Sequence, residues 1–187
     1  MDLQKLQTKH PDQTIELWAE DEARIGLQPI LRRVWAKKGS RPVAAQNRKY
    51  EWTYVYGFVH PKTGKSHWLL LPTVTQEAME LALKNFAKEV NPDNKKEILL
   101  MIDQAGFHHL SDCRIPTGIH LYSLPPYTPE LQPAEPLWPL LKEAVANKFF
   151  KTIDEIEEVL CQRCIWLFDH PEEVKGAAGF KWASDAI

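Results

Sequence analysis

Residues 97–103 read EILLMID. The apolar residues are consecutive rather than alternate, and the run ends on an acid. A continuous apolar run suits a central strand covered on both faces, as in a sheet with helices above and below it. TIELWAED (14–21) has the same form and reads as a second buried strand that runs into acids. EWTYVYGFV (51–59) and SHWLLLPT (66–73) are rich in aromatic and β-branched residues, and HPKTGK lies between them, which predicts a hairpin. RRVWA (32–36) reads as a short strand before the turn KKGSRP.

The period then changes. Met79, Ala82, Leu83, Phe86 and Val90 share one face of an amphipathic helix over 76–90, with Thr75 as its N-cap. The polar segment 104–118 has room for a short helix, and IHLYSLP (119–125) is another strand. Leu137 or Trp138, Leu141, Val145 and Phe149 give the next helix an apolar face. A last helix covers 152–168, where Thr152 and Glu155 have the spacing of a capping box. Residues 1–13 read as a linker or a disordered N-terminus. The order strand, hairpin, helix, strand, strand, helix, helix is α/β with a mixed sheet.

At 187 residues the chain has room for one domain with a sizeable core, and its 44% hydrophobic and 26% charged residues are ordinary for a globular protein. No apolar run has the length of a membrane span, and the polar start MDLQKLQTKHPDQT lacks the apolar stretch of a signal peptide, so a cytoplasmic location is expected. Three cysteines, Cys113, Cys161 and Cys164, argue against a disulfide framework. The CxxC pair in VLCQRCIWLF falls on one probable helix and reads as core packing.

Net charge is −2, but its distribution is uneven. Arg24, Arg32, Arg33, Lys37, Lys38, Arg41, Arg48 and Lys49 fall between Ala23 and Tyr50 with no acid among them. That suits a local surface for a polyanion, because phosphate neutralisation is a local effect. It equally suits a solvated hairpin whose lysines guard an edge strand.

Asp21 and Asp103 stand at the ends of two probable central strands, where open α/β sheets gather their ligand sites. Residues 124–138, LPPYTPELQPAEPLW, form a proline-stiffened arm that places Glu135 at the start of the following helix. Three carboxylates from distant segments can therefore converge. Oxygen donors without histidine or thiolate suit a hard cation such as Mg²⁺ or Mn²⁺.

WAEDEARIG, LMIDQAGFHHL and LPPYTPELQPAEPLW together resemble the three catalytic blocks of DDE transposases, in the bacterial insertion-sequence branch of the mariner-like superfamily. The resemblance implies an RNase H-like fold, with a central mixed five-stranded sheet flanked by helices. It implies a catalytic domain over 14–150, with 151–187 as a helical extension packed on it. It matches the catalytic and metal-binding triad to Asp21, Asp103 and Glu135. Two Mg²⁺ ions are implied when DNA is bound, with Mn²⁺ able to substitute. The implied partners are transposon ends and target DNA, handled by a homodimer, with no membrane involved. Metal-dependent strand cleavage and strand transfer are the implied reactions.

Glu22 and Gln104 then read as neighbours that tune the metal ligands. The basic residues from Arg24 to Lys49 read as DNA contacts, and His108 as a residue that contacts DNA or shapes the site. Trp35 and Tyr50 are expected to pack in the sheet, with stacking on bases as the alternative. No helix-turn-helix reader precedes the first strand, so the chain reads as a catalytic domain alone: an excised piece, a second reading frame or a truncated copy.

With the missing reader, two further departures leave room for an alternative, an inactive truncated or co-opted remnant serving as a DNA-binding or oligomerisation module. Gln104 and Gln132 stand where relatives carry asparagine, and Pro136 and Pro139 are unusual in the catalytic helix. Both prolines are tolerable if that helix starts at Glu135 or later, and the later start is expected.

Overall fold

The structure is a computed structural model that describes residues 3–43, 45–108, 110, 111, 114–126 and 128–184. Cys113 lies outside them. Five strands form one sheet: β1 (Thr14–Gly26), β2 (Trp52–Val59), β3 (Ser66–Leu71), β4 (Lys96–Ile102) and β5 (Ile119–Ser123). The spatial order is β3-β2-β1-β4-β5. The hairpin β2–β3 and its partner β1 pair antiparallel, while β1, β4 and β5 run parallel. This is the mixed five-stranded sheet expected from the element order.

β1 changes partners along its length. Residues from Thr14 to Ala19 pair with β4, and residues from Ala19 to Gly26 pair with β2. The strand is therefore longer than the expected 14–21, and Asp21 is inside it rather than at its end. Antiparallel pairing with β2 carries the strand on past the point where β4 stops.

Alternation along β1 builds two cores. Ile15, Leu17, Ala19, Ala23 and Ile25 face one side, with Leu99 and Met101 of β4. That side is covered by α1 (Leu3–Lys9), α3 (Leu137–Lys142), α4 (Ile153–Asp169) and α5 (Pro171–Ala178), with α6 (Lys181–Ser184) at the end. Trp18 faces the other side with Tyr56, Phe58, Ile98 and Leu100. There α2 (Gln76–Val90) packs Met79, Ala82, Leu83 and Phe86, and Phe86 stacks on Phe58 with ring centres 4.4 Å apart. Thr75 caps α2 by accepting the Ala78 N–H, as expected.

Several local expectations are corrected. Residues 3–9 are helical rather than a linker, because Leu6 is fully buried and anchors them. No strand forms at 32–36; residues 27–43 and 45–51 lie outside helix and sheet, and Trp35 and Tyr50 are exposed, not packed in the sheet. Both sides of β1 are already taken, by β4 along its first half and by β2 along its second, so the segment does not extend the sheet beside the strand it follows. α3 is shorter than its apolar pattern suggests, and Phe149 is exposed. Of the CxxC pair, only Cys164 is in the core, with burial pushing its thiol up to about 12; Cys161 is exposed.

The helix after the proline arm does begin late. Pro136 occupies the N-cap of α3, so Pro139 falls within the first turn, where a missing N–H breaks no helical bond. The capping box at Thr152 forms with a shift: Thr152 accepts from Glu155 N–H, while the Glu155 carboxylate accepts from Lys151 N–H.

Candidate active site

Asp21 and Asp103 meet through strand register. β1 and β4 last pair at Ala19 and Met101, and each aspartate stands two residues beyond that pair. Two residues along a strand return to the same face, so both point toward the α3 side. Glu135 arrives on that side from the turn before α3. Hydrogen bonds from Glu135 N–H to Gln132 O (3.2 Å) and from Leu137 N–H to Ala134 O (3.0 Å) tighten the turn. Asp21, Asp103 and Glu135 line one cleft of about 480 Å³, walled by Gln104, Ala105, Gln132 and the prolines at 125, 126 and 129.

Each acid is held differently. Trp138 donates its indole N–H to Asp21 Oδ2 at 2.7 Å. Gly57, opposite Asp21 on β2, makes room for that indole, since a Cβ there would meet Trp138 at 3.0 Å and Trp68 at 3.2 Å. Burial raises the Asp21 carboxyl from 3.8 to about 7; the Trp138 hydrogen bond opposes the rise, and the charge of Glu135 adds to it. Asp103 accepts the Ala105 N–H at 2.8 Å and is half exposed. Gln132 is buried; it donates to Glu20 O at 2.9 Å and thereby ties the proline arm to β1. Gln104 donates to Leu124 O at 2.9 Å and fixes the end of β5 at the cleft.

The opposite face of β1 carries a second acidic group. Glu20 and Glu22 project there, and His108 reaches them from the 3₁₀ turn Gly106–His108. His108 Nε2 is 3.0 Å from Glu22 Oε1 and 3.5 Å from Glu20 Oε2, while its Nδ1 is 2.7 Å from Asp103 Oδ1. Burial alone would lower the imidazole; the hydrogen bond and charge of Glu22, with Asp103, outweigh it and hold His108 above its ordinary value. Glu20 is fully buried, and neither of its oxygens accepts a hydrogen bond, His108 Nε2 standing off at 3.5 Å. Burial, then the charges of Glu22 and Asp21, raise its carboxyl well above the usual range.

His108 is thus a buried link between the two faces rather than a surface contact, which corrects its place among the exposed basic residues. Arg24, Arg32, Arg33, Lys37, Lys38, Arg41, Arg48 and Lys49 are all exposed. Arg24 lies over the Trp52 ring at 5.3 Å, Arg32 pairs with Glu143 at 3.4 Å, and Lys49 reaches Glu51 at 3.8 Å.

Among the described residues, two groups place three ligand atoms within 4.8 Å of one another: Glu20, Glu22 and His108, and His10, Glu97 and His120. The three acids of the cleft share its wall without closing that far. Sequence reasoning missed Glu20, Trp138 and the anchoring role of Gln132. Alternation carried from Trp18 through Glu20 to Glu22 signals the buried acidic face, and an aromatic three residues after Glu135 signals the indole.

A model of the DDE superfamily endonucleases matches residues 16–157. The chain belongs to that family. An uncharacterized Sinorhizobium fredii protein, y4pE/y4sA, is 34% identical over 133 residues, a match spanning 71% of this chain and 97% of that protein. The solved Mos1 strand transfer complex superposes with a TM-score of 0.58 at 16% identity, covering 95% of this chain and 59% of that one. The Mos1 mariner paired end complex with Mn superposes at 0.56 and 16%, covering 95% and 60%. At that identity the likeness is one of fold, and it bears out the expected RNase H-like architecture. This DDE endonuclease domain spans about 60% of the Mos1 chains it matches.

Proposed function

We propose that the chain is the catalytic domain of a transposase, cutting DNA at transposon ends and joining the freed ends to target DNA. The observation that carries this is the convergence of Asp21, Asp103 and Glu135, distant in sequence, on one cleft where β1 and β4 part.

The donor set fits a hard divalent cation. It is all oxygen, and Asp21 is costly to ionise where it lies, beside Glu135. Asp21, Asp103 and Glu135 are the residues that would hold it, and Mos1 crystallised with Mn and with Mg supports the choice of Mg²⁺ or Mn²⁺, with two ions expected when DNA is in place. A bound cation supplies Lewis acidity toward the scissile phosphate and lowers the pKa of an attacking water.

The chain's own residues do the rest. Trp138 fixes the Asp21 carboxylate, and His108 with the Ala105 N–H fixes Asp103. The proline arm sets Glu135. Exposed Arg and Lys on the loop 27–51 bind the backbone phosphates, and exposed Trp35 and Tyr50 offer stacking faces for bases. Water displaces the 3′-oxygen at the transposon end, and the freed 3′-hydroxyl then attacks a target phosphodiester in line, displacing that strand's 3′-oxygen, so one site serves both steps. Two ends must be handled together, which calls for a homodimer.

The test is strand nicking and joining of a transposon-end duplex with Mg²⁺. Wild type should nick, and Asp103→Asn should not. Cleavage that persists in Asp103→Asn would overturn the assignment.

A further inference from the structure

The second cluster of ligand-type side chains is at the opposite end of the sheet from the cleft. Glu97 is the second residue of β4, on the face it shares with Leu99 and the α1 side core. His120 of β5 pairs in register with Leu99 and so projects to the same face. His10 follows α1 directly, its N–H bonded to Leu6 O, and the buried Leu6 pins that helix to the sheet. Three segments distant in sequence thus deliver two imidazoles to one buried carboxylate.

The contacts are short. His120 Nε2 is 2.5 Å from Glu97 Oε2, and His10 Nδ1 is 3.1 Å from Glu97 Oε1. Hydrogen bonding alone leaves this arrangement incomplete. His10 Nδ1 also lies 2.7 Å from Gln13 Oε1, so one nitrogen with at most one proton faces two acceptor oxygens. Turning the Gln13 amide round does not help, because Nδ1 must then accept, and its contact with Glu97 becomes acceptor against acceptor. His10 Nε2 is enclosed without a partner.

We infer that His10, Glu97 and His120 form a divalent transition-metal site, zinc by preference. Two histidines and one glutamate are a known zinc donor set, with a fourth position left for water or the Gln13 carbonyl. Neutral imidazoles and one carboxylate carry a single negative charge, which a divalent cation overcompensates without large repulsion among ligands. Nitrogen donors select against Mg²⁺ and separate this site chemically from the all-oxygen cleft. Asp103 is six positions beyond Glu97, about 20 Å along an extended strand, so the ion does not take part in chemistry at the cleft. Its effect is to clasp α1 to β4 and β5.

The side chains of His10, Glu97 and His120 are 23%, 8% and 19% exposed, which leaves an ion a route from solvent through the two histidines. The test is Co²⁺ titration of the whole chain after dialysis against chelator, read by visible absorption, with Zn²⁺ melting curves beside it. One equivalent of Co²⁺ should give the intense bands of a tetrahedral site, and Zn²⁺ should raise the unfolding midpoint by several degrees. His120→Asn and His10→Gln should each lose both signals; His10→Gln lies outside the strands and keeps the test informative if the β5 variant folds poorly. The double variant Asp21→Asn, Asp103→Asn should keep both, which separates this site from the cleft. Wild type without cobalt bands, or bands kept in His10→Gln but lost in Glu20→Gln, would overturn the inference.

Discussion

Asp21 and Asp103 each stand two residues past the Ala19–Met101 pair, so the parallel register of β1 and β4 puts them on one face where the strands separate. Neighbouring residues do not share this position: Glu20, Glu22 and Ile102 face the other way, toward α2. Four predictions test how the surroundings hold the two faces apart.

Gly57→Ala places a methyl group against Trp138, Trp68 and Leu137. The indole has to shift, and its hydrogen bond to Asp21 goes with it. Overpacking of this kind costs about 1–3 kcal/mol, read as a lower denaturant midpoint. Nicking should fall further than the stability loss explains. Trp138→Phe, which keeps the ring and removes the N–H, should reproduce the activity loss at a stability cost of about 1 kcal/mol.

Without divalent ions, stability should fall as pH rises from 3.8 to about 7, because folded Asp21 keeps its proton over a range where the unfolded chain has lost it. Asp21→Asn should flatten that part of the profile. Millimolar Mg²⁺ should restore stability in wild type near neutrality and leave Asp21→Asn unchanged. Melting curves across pH, with and without Mg²⁺, give the answer.

Glu20→Gln removes a fully buried carboxyl whose oxygens accept no hydrogen bond, with only His108 near, at 3.5 Å. Its raised value means that wild type loses stability as pH climbs from 4.5 upward, while the amide does not titrate. The variant should therefore gain on wild type as pH rises, by about 1 kcal/mol or more near neutrality, in urea melts at matched pH. A variant less stable than wild type throughout would mean that Glu20 is held as a charge.

His108→Ala leaves Glu22 buried and without its imidazole, and frees Asp103 on one side. Removing one partner of a buried pair costs about 3–5 kcal/mol. Because the folded imidazole titrates above 6.5, its contribution is full below that value and is lost as pH rises through the folded one. The gap between variant and wild type should be widest in mild acid and narrow toward alkaline pH.

Period and run length were enough to read the hairpin, α2, β4 and β5, because each is a local pattern whose burial is set by its own side chains. The blocks around Asp21, Asp103 and Glu135 were legible for the same reason: each acid interrupts an apolar or proline-stiffened run. The segment 32–36 failed because VWA has strand composition while its neighbours are basic and exposed, and a strand forms only where another segment supplies its hydrogen bonds. α1 failed because its only fully buried residue, Leu6, is recognisable as a core residue only once the sheet is under it.

By itself, then, the sequence determined the hairpin, α2, β4, β5, the blocks that carry the three acids and the proline stop that starts α3 late, all of which depend on contacts a few residues apart. Only the tertiary structure decided that β1 continues past Asp21, that Trp138 caps it across Gly57, and that His108 turns inward between Asp103 and Glu22. The same holds for His10, Glu97 and His120, which lie far apart in the chain. Their proximity is a matter of strand order and register, and these follow from which faces must be buried together rather than from any single segment.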